Sequence, residues 1–189
     1  MFRQLIKNNR SYRRFDQSAD IDRNTLIELV DLARCSASGS NRQPLKFYLS
    51  WLAERNAVIF PHLAWAGYLK DWSGPAEGER PSAYIIILGD KEISQSFGVD
   101  HGIAAQSILL GATEKGYGGC MIASIKRPAL RADLGIEPRF EILLAIALGR
   151  PAEEVVLEEV GLDGDIRYWR DAEESHHVPK RSLDEIVLE

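Results

Sequence analysis

Residues 83–88 read Ala-Tyr-Ile-Ile-Ile-Leu, a run without a charged residue on either face of a strand. Such a strand is buried on both sides, whereas a strand with one face in water alternates apolar and polar residues. A second run, Ile-Leu-Leu-Ala-Ile-Ala-Leu, occupies residues 142–148. The two runs therefore predict two buried strands in a small sheet.

Helices are predicted on both sides of these strands along the chain. Apolar residues recur at helical spacing in residues 26–33, and Asp20 or Asp22 can cap that helix. In residues 98–115 apolar side chains cover much of the helix circumference, which predicts a helix at the centre of the domain or in a dimer interface. Two shorter helices are predicted at residues 2–8 and 128–134.

The intervening segments complete an α+β pattern. Residues 45–51 alternate as in a strand, and residues 120–125 form another apolar stretch. Residues 54–81 are irregular and rich in Trp, Gly and Pro. Strands and helices do not alternate regularly enough for a doubly wound fold, so we expect an α+β domain with a small, mostly buried sheet.

The C-terminal part of the sequence differs from the rest. From residue 151 onward the chain is more acidic and less periodic, and residues 178–186 predict an arm or a final strand. We therefore expect a single domain over residues 1–189, with residues 151–189 as its C-terminal arm.

Composition argues against several classes of protein. Of the 189 residues, 45% are hydrophobic and 27% charged, as in ordinary globular proteins. The net charge of -5 argues against general nucleic-acid binding, which needs a basic field. The apolar runs are far shorter than the roughly 20 residues that span a membrane, and residues 1–15 lack the apolar core of a signal peptide. We expect a cytoplasmic protein, because the two cysteines, Cys35 and Cys120, lie far apart without a CxxC motif.

Familiar catalytic motifs are missing. The sequence contains no GxGxxG after a strand, no P-loop and no GxSxG elbow. We expect no metal site, because the histidines lack metal-ligand spacing. Cys35 is interpreted as a buried thiol beside a helix end rather than a nucleophile. The histidines are His62, His101, His176 and His177.

Two polar segments in the N-terminal part suggest ligand binding. Residues 10–15 read Arg-Ser-Tyr-Arg-Arg-Phe, and guanidiniums with a hydroxyl suit a phosphate monoester. The alternative interpretation is a solvated basic turn. Residues 36–44 form a loop of small residues with Ser38, Asn41 and Gln43, whose amides can donate and accept hydrogen bonds. The alternative there is a helix C-cap followed by a turn.

Two further segments follow later in the chain. Residues 116–124 begin Gly-Tyr-Gly-Gly, and glycines allow the backbone to approach a flat ring, with free amides from Ile122 to Ser124 as donors. The alternative is a helix terminator followed by a core strand. Lys180 and Arg181 could form a second phosphate clamp, or they belong to an ordinary charged tail.

Taken in order, these segments resemble the FMN-dependent nitroreductase family. The resemblance rests on Arg-Ser-x-Arg-x-Phe at residues 10–15 and Ser-x-x-Asn-x-Gln-Pro at residues 38–44. It also rests on the helix ending in Gly-Tyr-Gly-Gly, on Gly-Arg-Pro at residues 149–151 and on a terminal Pro-Lys-Arg. It implies a nitroreductase-like α/β sandwich with a central, mostly antiparallel sheet flanked by helices. It further implies a homodimer with FMN at the interface.

The resemblance also implies roles for individual residues. Arg10 and Ser11 match residues that hold the phosphate and ribityl chain, and Arg13 matches a residue at the pyrimidine edge that tunes the flavin. Ala37, Ser38 and Asn41 match a loop that packs on the flavin from the other subunit. The implied cofactor-binding set is Arg10, Ser11, Arg13, Ala37, Ser38, Asn41, Gln43, Ile122, Ala123, Ser124, Lys180 and Arg181.

The implied activity is reduction of nitroaromatic, quinone or similar electrophilic acceptors by NAD(P)H, with ping-pong kinetics and no obligatory catalytic side chain. The alternatives are dehalogenation or dehydrogenation on the same fold, a non-catalytic FMN-binding dimer, or a binder of another phosphorylated ligand. Trp65, Tyr68 and Trp72 either line the substrate cleft or form one face of a helix on the core.

Some residues depart from the family pattern or fall outside it. Asn9 stands where many members have Arg, so one phosphate contact is weaker or replaced. Ala37 stands where Pro is common. Trp169 and the pair His176–His177 are expected at the surface or in dimer contacts.

Overall fold

The computed structural model describes residues 1–189, which form two sheets and six helices. The helices are α1 (Phe2–Asn8), α2 (Arg23–Arg34), α3 (Ala53–Ile59), α4 (Asp100–Glu114), α5 (Arg127–Leu134) and α6 (Leu183–Ile186). The strands are β1 (Phe15–Asp16), β2 (Leu45–Ser50), β3 (Ala83–Asp90), β4 (Gly118–Ile122), β5 (Phe140–Pro151), β6 (Val155–Glu159), β7 (Trp169–Arg170) and β8 (His176–Lys180).

The main sheet is antiparallel throughout and is built around β3 and β5. Its strand order is β1-β5-β3-β2, and β4 also pairs with β5. Every residue of β3 is buried, as its apolar sequence predicts. Because β5 is 12 residues long, β4 and β1 can pair with successive parts of it.

Helices cover both faces of the main sheet, which confirms the predicted α+β sandwich. The alternation of side chains along β3 divides the core in two. Ile85 and Ile87 face a cluster with α2 and α4, whereas Tyr84 and Ile86 face a cluster with α3 and α5. The continuous apolar run of β3 therefore supplies both cores at once.

The longest helices begin and end close to where the sequence predicts. Asp22 caps α2 by accepting a hydrogen bond from the backbone N–H of Thr25 at 2.7 Å. Helix α4 buries seven of its residues, and it packs on both α2 and the main sheet. None of the helices is long and apolar enough to cross a membrane.

Residues beyond the main sheet fold back on their own chain. Strand β8 pairs in parallel with β6 and antiparallel with β7, forming a second, three-stranded sheet. The predicted final strand at residues 178–186 is thus shifted, since the strand is His176–Lys180 and the short helix α6 follows it. Only the last residues, with exposed Leu183, Ile186 and Leu188, project as an apolar tail.

Three local expectations are wrong. Residues 54–81 are not wholly irregular, because α3 and a short 3-10 turn occupy their beginning. Trp65, Tyr68 and Trp72 do not share a helix face, because their segment consists of turns. Cys35 is exposed rather than buried, because α2 ends before it at the surface.

One glycine in β4 is required by close packing. A Cβ on Gly119 would collide with the backbone carbonyl of Ala147 and lie 2.7 Å from Leu109 Cδ2. The backbone oxygen belongs to β5 and cannot move without disturbing the strand pairing. Gly102 offers a contrast, because a Cβ there would meet nothing within 4 Å, in helix α4.

We predict that Gly119→Ala lowers the free energy of unfolding by about 2 kcal/mol, because overpacking forces β4 away from β5. Gly102→Ala, the matched control, should stabilise the protein by up to about 1 kcal/mol, since alanine is the better helix former. Urea unfolding followed by circular dichroism measures both. Equal effects of the two substitutions would contradict the packing argument.

Candidate functional site

The N-terminal basic segment is held alongside the glycine-rich strand β4. Ser11 forms a parallel bridge with Gly119, and the N–H of Tyr12 donates to the Gly119 carbonyl at 3.0 Å. Phe15 is fully buried, and its ring occupies the space that a Cβ on Gly149 would fill, 2.8 Å away at Cδ1. The motif is therefore anchored on both sides of Arg13.

This anchoring opens a cleft of about 440 Å³, which we call the Arg10 cleft. Its polar lining brings together predicted residues from distant parts of the chain. It also includes Asn9 and Gln106, which the sequence did not place in the cofactor-binding set. The polar residues that line it are Asn9, Arg10, Ser11, Arg13, Gln106 and Lys180.

The Arg10 cleft adjoins a second cavity of about 170 Å³, which we call the Ser124 pocket. Arg13, Met121 and Tyr168 line both cavities, so these side chains form a wall that the two cavities share. The Ser124 pocket is also lined by Trp65, Gly67, Ile122, Ala123 and Ser124. The structure thus brings the predicted segments at residues 10–13, 122–124 and 180 to one site.

The backbone of the Ser124 pocket presents free donors. The Ser124 carbonyl accepts from the N–H of Ala64 at 3.0 Å, and Lys126 N–H donates to the His62 carbonyl at 2.8 Å, which fixes the segment. The N–H groups of Ala123 and Ser124 themselves donate to no other backbone group. Both residues are exposed, so these N–H groups can donate to a ligand.

The charge of the Arg10 cleft is one-sided. No carboxylate lines it, and neither Arg10, Arg13 nor Lys180 forms an ion pair. Burial lowers the pKa of Arg10 from its ordinary value, while its Nε is buried without a hydrogen-bond partner. An acidic protein has here concentrated three uncompensated cations, which suits an anionic ligand.

A buried carboxylate joins this site to the C-terminal sheet. The Glu153 side chain is 1% exposed and accepts hydrogen bonds from the backbone N–H groups of Arg13 and Arg14, the latter at 3.1 Å. It also pairs with Arg170 at 2.9 Å. Sequence reasoning missed Glu153 because Glu153-Glu154 looks like any solvated acidic pair.

Two further residues that contact Arg13 come from the C-terminal segment. Nη1 of Arg13 lies 3.0 Å from Nε2 of His176, and its guanidinium sits 4.7 Å from the centre of the Tyr168 ring. His176 is fully buried, so the expectation that it lies at the surface or in a dimer contact is wrong. The reason is the second sheet, which places β8 beneath Arg13. Burial, reinforced by Arg13, Arg170 and His177, lowers the pKa of His176 to about 4.

The adjacent histidine behaves in the opposite way. Nε2 of His177 lies 3.0 Å from an oxygen of Asp171, and its Nδ1 contacts Glu158. These carboxylates raise the pKa of His177, and the hydrogen bond to Asp171 makes the largest contribution. Its ring stacks on the exposed ring of Trp169, with centroids 4.1 Å apart. Trp169 and His177 therefore lie near the surface, as expected.

Comparison with known proteins gives this geometry a context. The family model described as the nitroreductase family matches residues 6–65 and 53–150, most of the chain. The chain belongs to the nitroreductase family. No curated protein matches the sequence. The matched region includes the predicted segments at residues 10–13 and 122–124 but ends before the C-terminal sheet.

Solved nitroreductases have the same fold. A nitroreductase family protein from Clostridium novyi NT is 26% identical, with a TM-score of 0.66, covering 80% of this chain and 85% of its own. One from Streptococcus pneumoniae TIGR4 is 17% identical, with a TM-score of 0.72 and full coverage of both chains. A nitroreductase from Exiguobacterium sibiricum, solved in complex with FMN, is 18% identical, with a TM-score of 0.67, covering 81% and 89%.

The predicted loop at residues 36–44 lies apart from the Arg10 cleft. Ser38 Oγ donates to Asp100 Oδ2 at 2.6 Å, and Gly39 N–H donates to Asp100 Oδ1 at 3.0 Å. Ala37, Ser38 and Gln43 line a separate cavity of about 160 Å³ that shares no residue with the Arg10 cleft. Ser40, Asn41 and Gln43 have left-handed φ angles, an uncommon backbone for such residues.

Several other predicted residues lie outside the two cavities. Arg181 is exposed and pairs with Glu185, so it does not line the Arg10 cleft. The Tyr68 ring packs against Tyr168 in a tilted arrangement with centroids 4.9 Å apart, beside the Ser124 pocket rather than in its wall. Trp72 packs against the guanidinium of Arg170. Trp65 alone of the three predicted aromatic residues lines the pocket, and it also belongs to the core.

The Glu153–Arg170 pair generates a stability prediction. Glu153→Gln should lower the free energy of unfolding by about 3 kcal/mol, because it leaves the buried Arg170 charge without its carboxylate. Glu92→Gln is the control, since that carboxylate pairs with Arg139 but is 66% exposed, and it should change stability by less than about 1 kcal/mol. Urea unfolding of both variants measures the difference. Similar effects would show that Glu153 does not fasten the two segments.

Proposed function

We propose that this nitroreductase family member is an FMN-dependent oxidoreductase that uses NAD(P)H to reduce nitroaromatic, quinone or similar electrophilic acceptors. The observation that carries the proposal is that two different surroundings meet at Arg13, which lines both cavities. On one side lie uncompensated cations, and on the other lie free backbone N–H groups with an apolar wall. A phosphorylated ligand with a flat heterocycle needs both.

The residues present fit FMN. The Arg10 cleft alone, at about 440 Å³, is within the roughly 300–1,000 Å³ typical of cofactor pockets. Arg10, Ser11 and Lys180 would hold the phosphate and ribityl chain, with the unpartnered Nε of Arg10 as one donor. The N–H groups of Ala123 and Ser124 would bind the polar edge of the ring. Asn9, where many family members have Arg, lines the same cleft as a neutral donor.

The chemistry divides between cofactor and protein. When bound, FMN would supply two-electron redox chemistry: it would take two electrons from a nicotinamide in one half-reaction and pass them to an acceptor in the next. Arg13 would stabilise negative charge at the pyrimidine edge of the flavin, because no carboxylate forms an ion pair with its guanidinium. Trp65 and Tyr168 supply aromatic surface to the wall of the Ser124 pocket. No side chain of either cavity is a carboxylic acid or a histidine, which agrees with a mechanism without a protein acid.

The complete site requires a second copy of the chain in this proposal. The loop with Ala37, Ser38, Asn41 and Gln43 does not reach the cleft of its own subunit, so it serves the partner's flavin in a homodimer. The exposed apolar residues Ile103 on α4 and Leu188 in the tail support an interface. Each subunit is a single domain over residues 1–189, of which residues 151–189 form the C-terminal arm.

The acceptor would bind beside Trp65 and Tyr68. Trp65 lines the Ser124 pocket, and Tyr68 packs against Tyr168 at its edge, so both offer aromatic surface to a flat acceptor. Trp72 supports this wall indirectly through Arg170. A cytoplasmic location fits the two free thiols, Cys35 and Cys120.

A visible absorption spectrum tests the function directly. We expect purified protein, supplied with FMN where needed, to show oxidised-flavin bands that bleach under anaerobic NADPH or NADH within a turnover time. Bands that persist with both nicotinamides would indicate a non-catalytic FMN-binding protein. Failure to bind FMN at all would contradict the proposal.

The phosphate contact has its own test. Lys180→Ala should weaken FMN binding about fivefold and leave riboflavin binding unchanged, because an exposed ion pair contributes up to about 1 kcal/mol and riboflavin lacks the phosphate. Arg181→Ala is the neighbouring control and should change neither, since Arg181 pairs with Glu185. Fluorescence titration gives both dissociation constants. Loss of FMN preference in Arg181→Ala alone would place the phosphate outside the Arg10 cleft.

A further inference from the structure

The side chain of Arg13 is held entirely by uncharged partners. Its Nη1 donates to the Ser11 carbonyl at 3.2 Å and lies 3.0 Å from His176 Nε2, and the Tyr168 ring faces its guanidinium. The one nearby carboxylate, Glu153, contacts the backbone N–H of Arg13 and pairs with Arg170. The guanidinium is therefore fixed in direction while its charge stays available.

His176 is itself locked in place. It lies in β8, where its backbone N–H donates to the Glu154 carbonyl at 2.9 Å and its neighbours across the sheet are Val155 and Arg170. The ring is fully buried and packs on Tyr168 at 5.2 Å. Arg13, Arg170 and His177 are the charged or titratable groups that act on it, and all three disfavour its protonation. A ring that stays neutral can offer Nε2 as an acceptor to Arg13, which places its one proton on Nδ1, a buried atom without a hydrogen-bond partner in the structure.

We propose that His176 is a positioning residue: its neutral Nε2 accepts a hydrogen bond from Arg13 and fixes that guanidinium, uncompensated, between the Arg10 cleft and the Ser124 pocket. The inference rests on the proposed function in that FMN is the anionic ligand which Arg13 serves. A carboxylate at position 176 would hold Arg13 equally well but cancel its charge. An apolar side chain would leave the charge but release the guanidinium.

The residue that orients Arg13, His176, belongs to the C-terminal sheet and lies outside the region that the family model matches. The family match ends at residue 150, whereas Tyr168 and His176 follow it. The C-terminal segment therefore has a role in the chemistry of the site beyond covering it. His176 and Tyr168, both from this segment, determine the direction of the Arg13 guanidinium.

Three substitutions at position 176 separate position from charge. In FMN-loaded protein, His176→Gln keeps a neutral acceptor and should leave FMN affinity within about threefold and the flavin midpoint potential unchanged. His176→Glu should weaken FMN binding at least about tenfold and lower the potential, because the carboxylate cancels the charge that stabilises reduced flavin. His176→Leu should weaken binding about fivefold through loss of the acceptor.

Dependence on Arg13 is tested by a double-mutant cycle. In an Arg13→Ala background, the His176 substitutions should have no further effect on FMN affinity or potential, since the residue acts through Arg13. Equal potentials for the Gln and Glu variants, or full additivity with Arg13→Ala, would overturn the inference while FMN binding by the unchanged protein stands.

A measurement without flavin keeps the inference testable on its own. ¹⁵N NMR of the apoprotein should show His176 neutral, with its proton on Nδ1, from pH 8 to pH 5, in keeping with a pKa of about 4. Protonated Nε2 in that range would refute the hydrogen bond to Arg13. If the expected tautomer is found but the protein binds no FMN, the proposed function fails and the positioning of Arg13 stands.

Discussion

The buried carboxylate of Glu153 joins the two ends of the chain. It accepts the backbone N–H groups of Arg13 and Arg14 and pairs with Arg170, so the N-terminal motif and the C-terminal sheet share one buried anion. A buried carboxylate is tolerated only when its oxygens are satisfied, and here three donors satisfy it. Because those donors come from residues 13–14 and 170, each segment depends on the other for its placement. The direction of Arg13, the cover over it and the shape of the Arg10 cleft all follow from that dependence.

The main sheet supplies the rigid side of the same arrangement. Strand β3 gives its alternate residues to two cores, which holds β5 in place, and β4 can lie against β5 closely because Gly119 has no side chain. The bridge between Ser11 and Gly119 then sets the N-terminal motif on this fixed strand. A cleft built in this way has one wall determined by core packing and another by polar contacts from the C-terminal sheet. The first wall lies in the region that the family model matches, and the second lies beyond it.

This division explains what the sequence could predict. Strand β3, helix α4 and the Asp22 cap were predictable, because each leaves a local signal of apolar periodicity or capping. The motif at residues 10–15 was predictable from residue types in a short span. Glu153 and His176 were not, because their roles depend on partners about 140 to 163 residues away, and nothing in their immediate neighbours marks them as buried. Trp65 to Trp72 was ambiguous for the opposite reason, since its helical spacing exists in the sequence while turns occupy the structure.

Several arginines of the fold pair with carboxylates, whereas the cations that line the Arg10 cleft do not. Arg14, Arg139 and Arg170 all pair with acidic side chains, and each joins segments distant in sequence. Arg10 and Arg13 have only neutral acceptors, although the chain carries more acidic than basic residues. His176 is also a neutral acceptor, because its uncharged ring can orient Arg13 without neutralising the charge of the guanidinium. The absence of carboxylates around the Arg10 cleft is therefore as informative about its ligand as the cations that line it.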